Sequence, residues 1–336
     1  MFRVMFTLLV FLSMIPTAHA TTLKIATLAP DGTSWMKQLR TAAAKVKEDT
    51  DGRVKIRFYP GGVMGNDNSV LRKIRVGQLH GGAITGGGLM AIYPDAELYS
   101  LPFLFRNLQE VDHVRGTLDR KIIDGIKSKG FISYGLGEGG FAYLMSNQPV
   151  QTTSDLKGLK IWLPEGDMVN IRAFQAIGIS PIPLPVTDVL TGLQTGLIDT
   201  VATSSMGAVA LQWHTRVKYL TQVPLVYLYA TLVIKESAMK NISEADRAIL
   251  QREMAIAFEQ LNIKNRSDEQ AALEALKQQG IKFIQPSPEE HLEWEQHAAS
   301  TIADLSNVSS FSPELLQQLQ QLIRDYRQTN GQAVSE

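Results

Sequence analysis

With 336 residues, 44% of them hydrophobic and 20% charged, the chain is long enough for two ordinary domains with a sizeable core. Lys plus Arg and Asp plus Glu both number 33, so no charge excess recruits nucleic acid or anionic lipid. The absence of cysteine excludes disulfides, thiolate catalysis, Cys-ligated metal and lipid attachment through a Cys.

Met1 to Ala20 differs from everything after it. Arg3 gives a positive start, Phe6 to Ile15 is almost wholly apolar, and Ala18-His19-Ala20 fits the small-x-small cleavage rule. This pattern predicts a secretory signal peptide over residues 1–20 and a mature chain from Thr21. The apolar run is too short to span a bilayer comfortably.

Leu23 to Ala29 is strand-like, and Pro30-Asp31-Gly32-Thr33-Ser34 is a turn that offers helix-capping oxygens. Trp35 to Val46 follows as a helix, with Met36, Leu39, Ala43 and Val46 on one face. Val54 to Tyr59 alternates as a strand, which Pro60-Gly61-Gly62 ends. Asn66 to Val76 is helical and stops at Gly77. Gly81 to Thr85 is a short strand, after which Gly86-Gly87-Gly88 lets the backbone approach a neighbour closely. Leu101-Pro102-Phe103-Leu104-Phe105 is an apolar knot assigned to the core, Leu108 to Lys127 is helical with a break near Gly116, and Phe131–Leu136 and Phe141–Ser146 are strands.

Leu159 to Ser205 organises the rest. Leu159–Pro164 is strand-like, Met168 to Phe174 is helix-like and stops at Gly178, and Ile182-Pro183-Leu184-Pro185 follows. A helix-like Asp188–Gln194 then leads to the strand-like Leu197–Ala202. This alternation predicts parallel strands joined by crossover helices, with strand ends and helix starts facing one crevice. Trp162, Val186, Thr203 and Ser204 are placed to line it. Farther on, Val217–Leu220, Tyr227–Ile234 and Ile281–Ile284 are strand-like, and Ser243 to Gln279 forms a helical pattern too long for one ordinary domain. Pro288–Leu305 and Pro313–Tyr326 are amphipathic helices, and residues 330–336 form a loose polar tail.

Few catalytic patterns are present. Gly135, Gly137 and Gly140 match G-x-G-x-x-G, but the following Phe141-Ala142-Tyr143-Leu144-Met145 is strand-like. A dinucleotide site needs a helix N-terminus there, so a Gly-rich crossing between domains is the expectation, and no cofactor is expected. No two of the six His residues have metal-ligand spacing, so no metal is expected either. Asp188 and Asp199 read as helix-start and strand-end carboxylates, and there is no G-x-S-x-G. Trp213 is either a core indole or a residue that closes over a ligand.

Four motifs in order carry a resemblance: Pro60-Gly61-Gly62-Val63-Met64-Gly65, Leu101–Phe105, Asp155-Leu156-Lys157-Gly158-Leu159-Lys160-Ile161, and Leu193-Gln194-Thr195-Gly196-Leu197-Ile198-Asp199. The chain resembles the periplasmic solute-binding receptors of tripartite ATP-independent periplasmic (TRAP) transporters over nearly all of its mature length. The resemblance implies an α/β, two-lobe periplasmic binding protein type II-like fold, with a long helix spanning both lobes and a central cleft that closes on ligand. It places lobe I at 21–146 plus about 231–265, and lobe II at 147–230 plus about 266–329. The implied partners are a small-molecule ligand and the membrane permease subunits; the implied role is transport, not catalysis.

Departures from the family pattern bear on the ligand. Most members have an Arg where Trp162 stands, and many have another where Ala142 follows Gly140-Phe141. Thr203 replaces the usual site Asn, and Val186 replaces an aromatic. The two-pronged grip on a carboxylate is thus missing. The expected pocket is apolar, drawn from Trp162, Ala142, Val186, Phe141, Trp35 and Trp213, with hydroxyls from Thr203, Ser204 and Thr85 and backbone access at Gly86. That suits a largely hydrophobic or weakly polar solute. It is similar to the branch of the family whose receptors lack the Arg and work with a periplasmic tetratricopeptide-repeat (TPR) protein. The alternatives are a small organic acid held by another cation, with Arg172 the nearest candidate, and, from a different class, an exported hydrolase.

Overall fold

A computed structural model describes residues 20–296 and 311–332. The signal peptide expected over residues 1–20, all but its last residue, and the second half of the helix expected at Pro288–Leu305 lie outside the described residues.

Lobe I begins with a strand–helix alternation whose apolar spacing matches its burial. Strand β1 (Thr21–Thr27) is followed by α1 (Ser34–Asp49), β2 (Val54–Tyr59), α2 (Asp67–Arg75), β3 (Gly81–Thr85) and the single turn α3 (Gly86–Leu89). Thr33 and Asn66 cap α1 and α2 through their side-chain oxygens. A 3-10 segment (Pro94–Ser100) leads to α4 (Leu108–Ser128), which runs unbroken through Gly116. Strands β4 (Phe131–Ser133) and β5 (Gly137–Ser146) follow. Gly137 and Gly140 therefore begin a strand of the main sheet, where a Gly-rich crossing between domains was expected.

The second lobe contains β6 (Trp162–Pro164), α5 (Met168–Ala176), β7 (Ile182–Leu184), α6 (Val189–Thr195), β8 (Thr200–Thr203) and α7 (Ser205–Ala210). β6 and β7 pair in parallel as a separate small sheet, which Ile161 links to Thr200 by one parallel bridge. The crossover pattern read from the sequence is present, but β8 belongs to the main sheet and runs antiparallel to β5.

Strand β9 (Tyr219–Lys235) spans 17 residues and replaces the two strands expected at Val217–Leu220 and Tyr227–Ile234. The main sheet runs β2-β1-β3-β9-β5-β8, with β4 and β10 (Lys282–Ile284) also paired to β9. Pro224 explains the misreading. β5 pairs with β9 up to Thr221 and again from Val226, so the missing N–H of Pro224 falls in a break of that ladder.

Helix α8 (Glu244–Gln278) is 35 residues long, capped by Ser243. Leu250, Met254, Phe258 and Leu261 pack in the lobe I core beside α1, whereas Leu276 packs in the lobe II core with Trp162 and Trp213. One helix and one strand therefore run through both lobes. After helix α9 (288–296), α10 (Pro313–Gln332) packs on α4; Leu315, Leu316, Leu319 and Ile323 join the lobe I core, not the lobe II core. It also continues into the stretch expected as a loose tail.

Candidate ligand site between the lobes

The lobes meet along a seam built by the β2–α2 loop on one side and the β6–α5 and β7–α6 turns on the other. The Asn66 amide donates to Glu165 at 2.9 Å. Gly62 lies so close to Thr187 that a Cβ there would sit 2.7 Å from the Thr187 methyl. Val169 of α5 is buried in the lobe I cluster. The lobes are closed on one another.

The expected site residues fall into several groups. Trp162 is 3% exposed. Its indole N–H donates to the Leu184 carbonyl at 2.9 Å, and its ring meets that of Trp213 edge-on at 5.0 Å. Val186 packs on the same cluster. These three are brought together, with Trp162 and Trp213 facing inward as a core pair. Ala142 faces the other side of the sheet, where it lines an apolar cavity of about 100 Å³ together with Leu163, Phe174, Ala202, Leu225 and Trp294. Phe141 is buried against Tyr227 in the lobe I cluster. Thr203 is buried opposite Tyr143 in the ladder, and the Ser204 hydroxyl caps α7 by accepting from the Gly207 N–H at 3.2 Å.

Trp35 stacks edge-on against Phe258 at 5.8 Å and covers Gly137; its buried indole N–H has no partner among the described residues. The Thr85 hydroxyl is engaged twice, donating to Asp67 at 2.6 Å and accepting from the Gly88 N–H. Gly86 is wedged against Tyr229, where a Cβ would sit 2.6 Å from the ring. Arg172 is exposed on α5 and offers no substitute for the missing cations.

The sequence reading missed the carboxylates of the seam. Asp67 sits between Asn66, which bonds Glu165, and Asn68, which lies near Gly166. Burial pushes its pKa up to about 6, against the pull of the two Thr85 hydrogen bonds. Glu97 is 1% exposed, and its Oε2 has no hydrogen-bond partner among the described residues. Burial, and then the charge of Asp167 in the other lobe, push Glu97 up to about 8. Asp167 caps α5 through the Asn170 N–H at 3.0 Å and lines the apolar cavity. Burial raises its pKa too, opposed by Asn170. Locally, Asp67 looks like a first-turn helix residue, Asp167 like a cap, and Glu97 like any surface acid. No short-range pattern joins them.

Below the seam, α8 is fastened to the start of β5. Arg266 pairs with the buried Glu138 at 2.8 Å and with Asp112 at 2.5 Å. Asn262 accepts from the Glu138 N–H at 2.7 Å, and Asn265 donates to the Glu138 carbonyl. Glu269 accepts from the Ser205 and Met206 N–H groups at the start of α7, both at 2.9 Å.

Two α/β lobes closed over a seam, joined by a shared strand and a shared helix, define a solute-binding protein of the periplasmic type. Residues 25–307 match the family of bacterial extracellular solute-binding proteins, family 7 (DctP), and the chain belongs to this family of TRAP transporter receptors. It is 28% identical over 251 residues to the 2,3-diketo-L-gulonate-binding periplasmic protein YiaO of Escherichia coli K12, covering 71% of this chain and 73% of that protein. The sugar acid binding protein DctPAm from Advenella mimigardefordensis, solved with galactonate, superimposes with a TM-score of 0.85 at 20% identity, covering 91% of this chain and 99% of that one. A TRAP periplasmic solute binding protein from Sulfurospirillum deleyianum with bound succinate gives 0.83 at 21% identity, covering 90% and 99%. At these identities the solved structures establish the fold alone. No helix among the described residues is long and apolar enough to cross a membrane.

Proposed function

We propose that the protein is exported through its leader and captures a small, largely apolar or weakly polar solute between its lobes for delivery to the TRAP permease subunits. The observation that carries this reading is the lining of the cavity beside the seam. It is mainly aliphatic and aromatic, and among the described residues none that lines it is a Lys or Arg. A carboxylate closed into such a place without a cation costs several kcal/mol. Ala142 meets the cavity directly. In this reading Trp162, Val186 and Trp213 form the rigid wall of lobe II, and Trp35, Thr85, Gly86, Phe141, Thr203 and Ser204 support the site from behind, fixing the strands and helix starts around it and not touching the solute. Transfer through a periplasmic TPR protein belongs to the same reading and rests on the family branch that lacks the Arg; co-purification from periplasm tests it.

A second reading, a small organic acid, is favoured by the solutes named for relatives, among them 2,3-diketo-L-gulonate and succinate. Titration calorimetry against matched panels of small carboxylates and apolar compounds separates the two. Micromolar or tighter binding of a simple acid, with apolar compounds inert, establishes the second reading and removes the first.

A further inference from the structure

The apolar knot Leu101–Phe105 is divided between the two lobes. Leu101, Leu104 and Phe105 are buried in the lobe I core, whereas Phe103 packs on the lobe II cluster that contains Leu144, Leu156, Leu225 and Trp294. Phe103 also lines the apolar cavity beside the seam. Its backbone lies in the left-handed region, at φ 54°, where a Cβ is crowded. Among the described residues other than glycine, only Asp51 and Gln212 share a positive φ, and both are exposed polar residues. Leu101 to Leu104 form a turn closed by the Leu104 N–H on the Leu101 carbonyl at 3.4 Å, with Pro102 and Phe103 at its centre. Glycine is the usual second central residue when φ is positive there.

Strain of this kind persists only where the surroundings over-determine it. The Phe103 N–H donates to the Leu225 carbonyl at 2.7 Å, inside the gap of the β5–β9 ladder around Pro224. The Phe103 ring meets that of Trp294 in α9 at 6.1 Å, tilted by 40°. Arg106 grips Glu295, the residue after Trp294, through two hydrogen bonds of 2.8 Å. Trp294 is itself fixed by its indole N–H on the Gln151 carbonyl at 3.2 Å. The strained turn therefore holds one aromatic ring rigidly in the cavity wall.

We propose that Phe103 is a specificity-determining residue, whose ring sets the size of the apolar group that the cavity accepts. This rests on the receptor reading above and assigns a size to the solute's buried end. With the ring in place the cavity is about 100 Å³, whereas a dry apolar cavity that takes benzene is roughly 150 Å³. The space suits a short alkyl end of about three or four carbons and excludes a phenyl ring.

The test is titration calorimetry of the full-length receptor, matured by export, with straight-chain primary alcohols from propanol to octanol and with benzyl alcohol. In the parent, affinity is expected to be highest at propanol or butanol, with octanol and benzyl alcohol at least about tenfold weaker. Phe103→Gly removes the ring and suits the positive φ, so the turn is kept. This variant is expected to bind hexanol and benzyl alcohol at least about tenfold tighter than the parent does, a difference of about 1.4 kcal/mol. Phe103→Leu keeps an apolar side chain at the site and is expected to shift the preference in the same direction by less; it decides the matter if the glycine variant does not fold. An unchanged order of alcohols in the folded variants, or a parent that takes benzyl alcohol or octanol as tightly as butanol, overturns the role of Phe103 and leaves the apolar-solute receptor standing. Alcohols that bind neither the parent nor the variants overturn both readings.

Discussion

Glu97 keeps a proton in the folded protein that the unfolded chain would release, because burial and Asp167 hold its carboxyl at about 8. Between the ordinary glutamate range and that value the native state binds more protons than the unfolded state, so stability falls as pH rises through this window. Glu97→Gln removes the term. Calorimetric melting should show the variant a few degrees above the parent at pH 8.5 and close to it near pH 5. Trp162 gives the opposite kind of prediction. With its N–H on Leu184 and its ring on Trp213, Trp162→Ala should cost about 3–5 kcal/mol by urea unfolding. Trp162→Arg would place a guanidinium in the lobe II core. It should destabilise at least as much and yield no acid binding by calorimetry. A three-residue strand is too short for alternation to fix which face is buried; this is why the sequence pointed Trp162 at the cleft while Leu163, its neighbour, lines the cavity.

At the scale of elements, α8 is the clearest case of sequence legibility. Its capping Ser243, its length and its apolar spacing were readable because local periodicity encodes them. Its fastening was not, since Arg266 finds Glu138 and Asp112 across more than a hundred residues of chain. Arg266→Ala would leave Glu138 buried without a cation, and should lower stability by about 3–5 kcal/mol. Equilibrium urea unfolding measures this, with an unchanged slope marking an intact native state. The same distinction explains β9. Its apolar alternation was visible on both sides of Pro224, but only the partner strand reveals the gap that accommodates the proline. The packing of α10 on lobe I was likewise hidden, because an amphipathic helix announces that it has a buried face and not what covers it.

For the whole molecule, closure depends on bare backbone at Gly62 against Thr187. A Leu placed at Gly62 would act as a wedge: small-angle scattering should show no compaction on adding a solute that compacts the parent, and affinity should fall at least about tenfold. The two-lobe architecture was accessible from the sequence because each motif is contiguous. The burial of the acids near the seam was not, because Asp67, Glu97 and Asp167 come from three separate segments, and no local pattern marks a carboxylate that the fold will bury.

The sharing of β9 and α8 has a further consequence for how this protein can be divided. Neither half is a self-sufficient fragment: severing the chain between the lobes would strip each of a central strand and half a helix, leaving raw sheet edges that invite aggregation. Reassembly from two separately expressed pieces should therefore demand both at once.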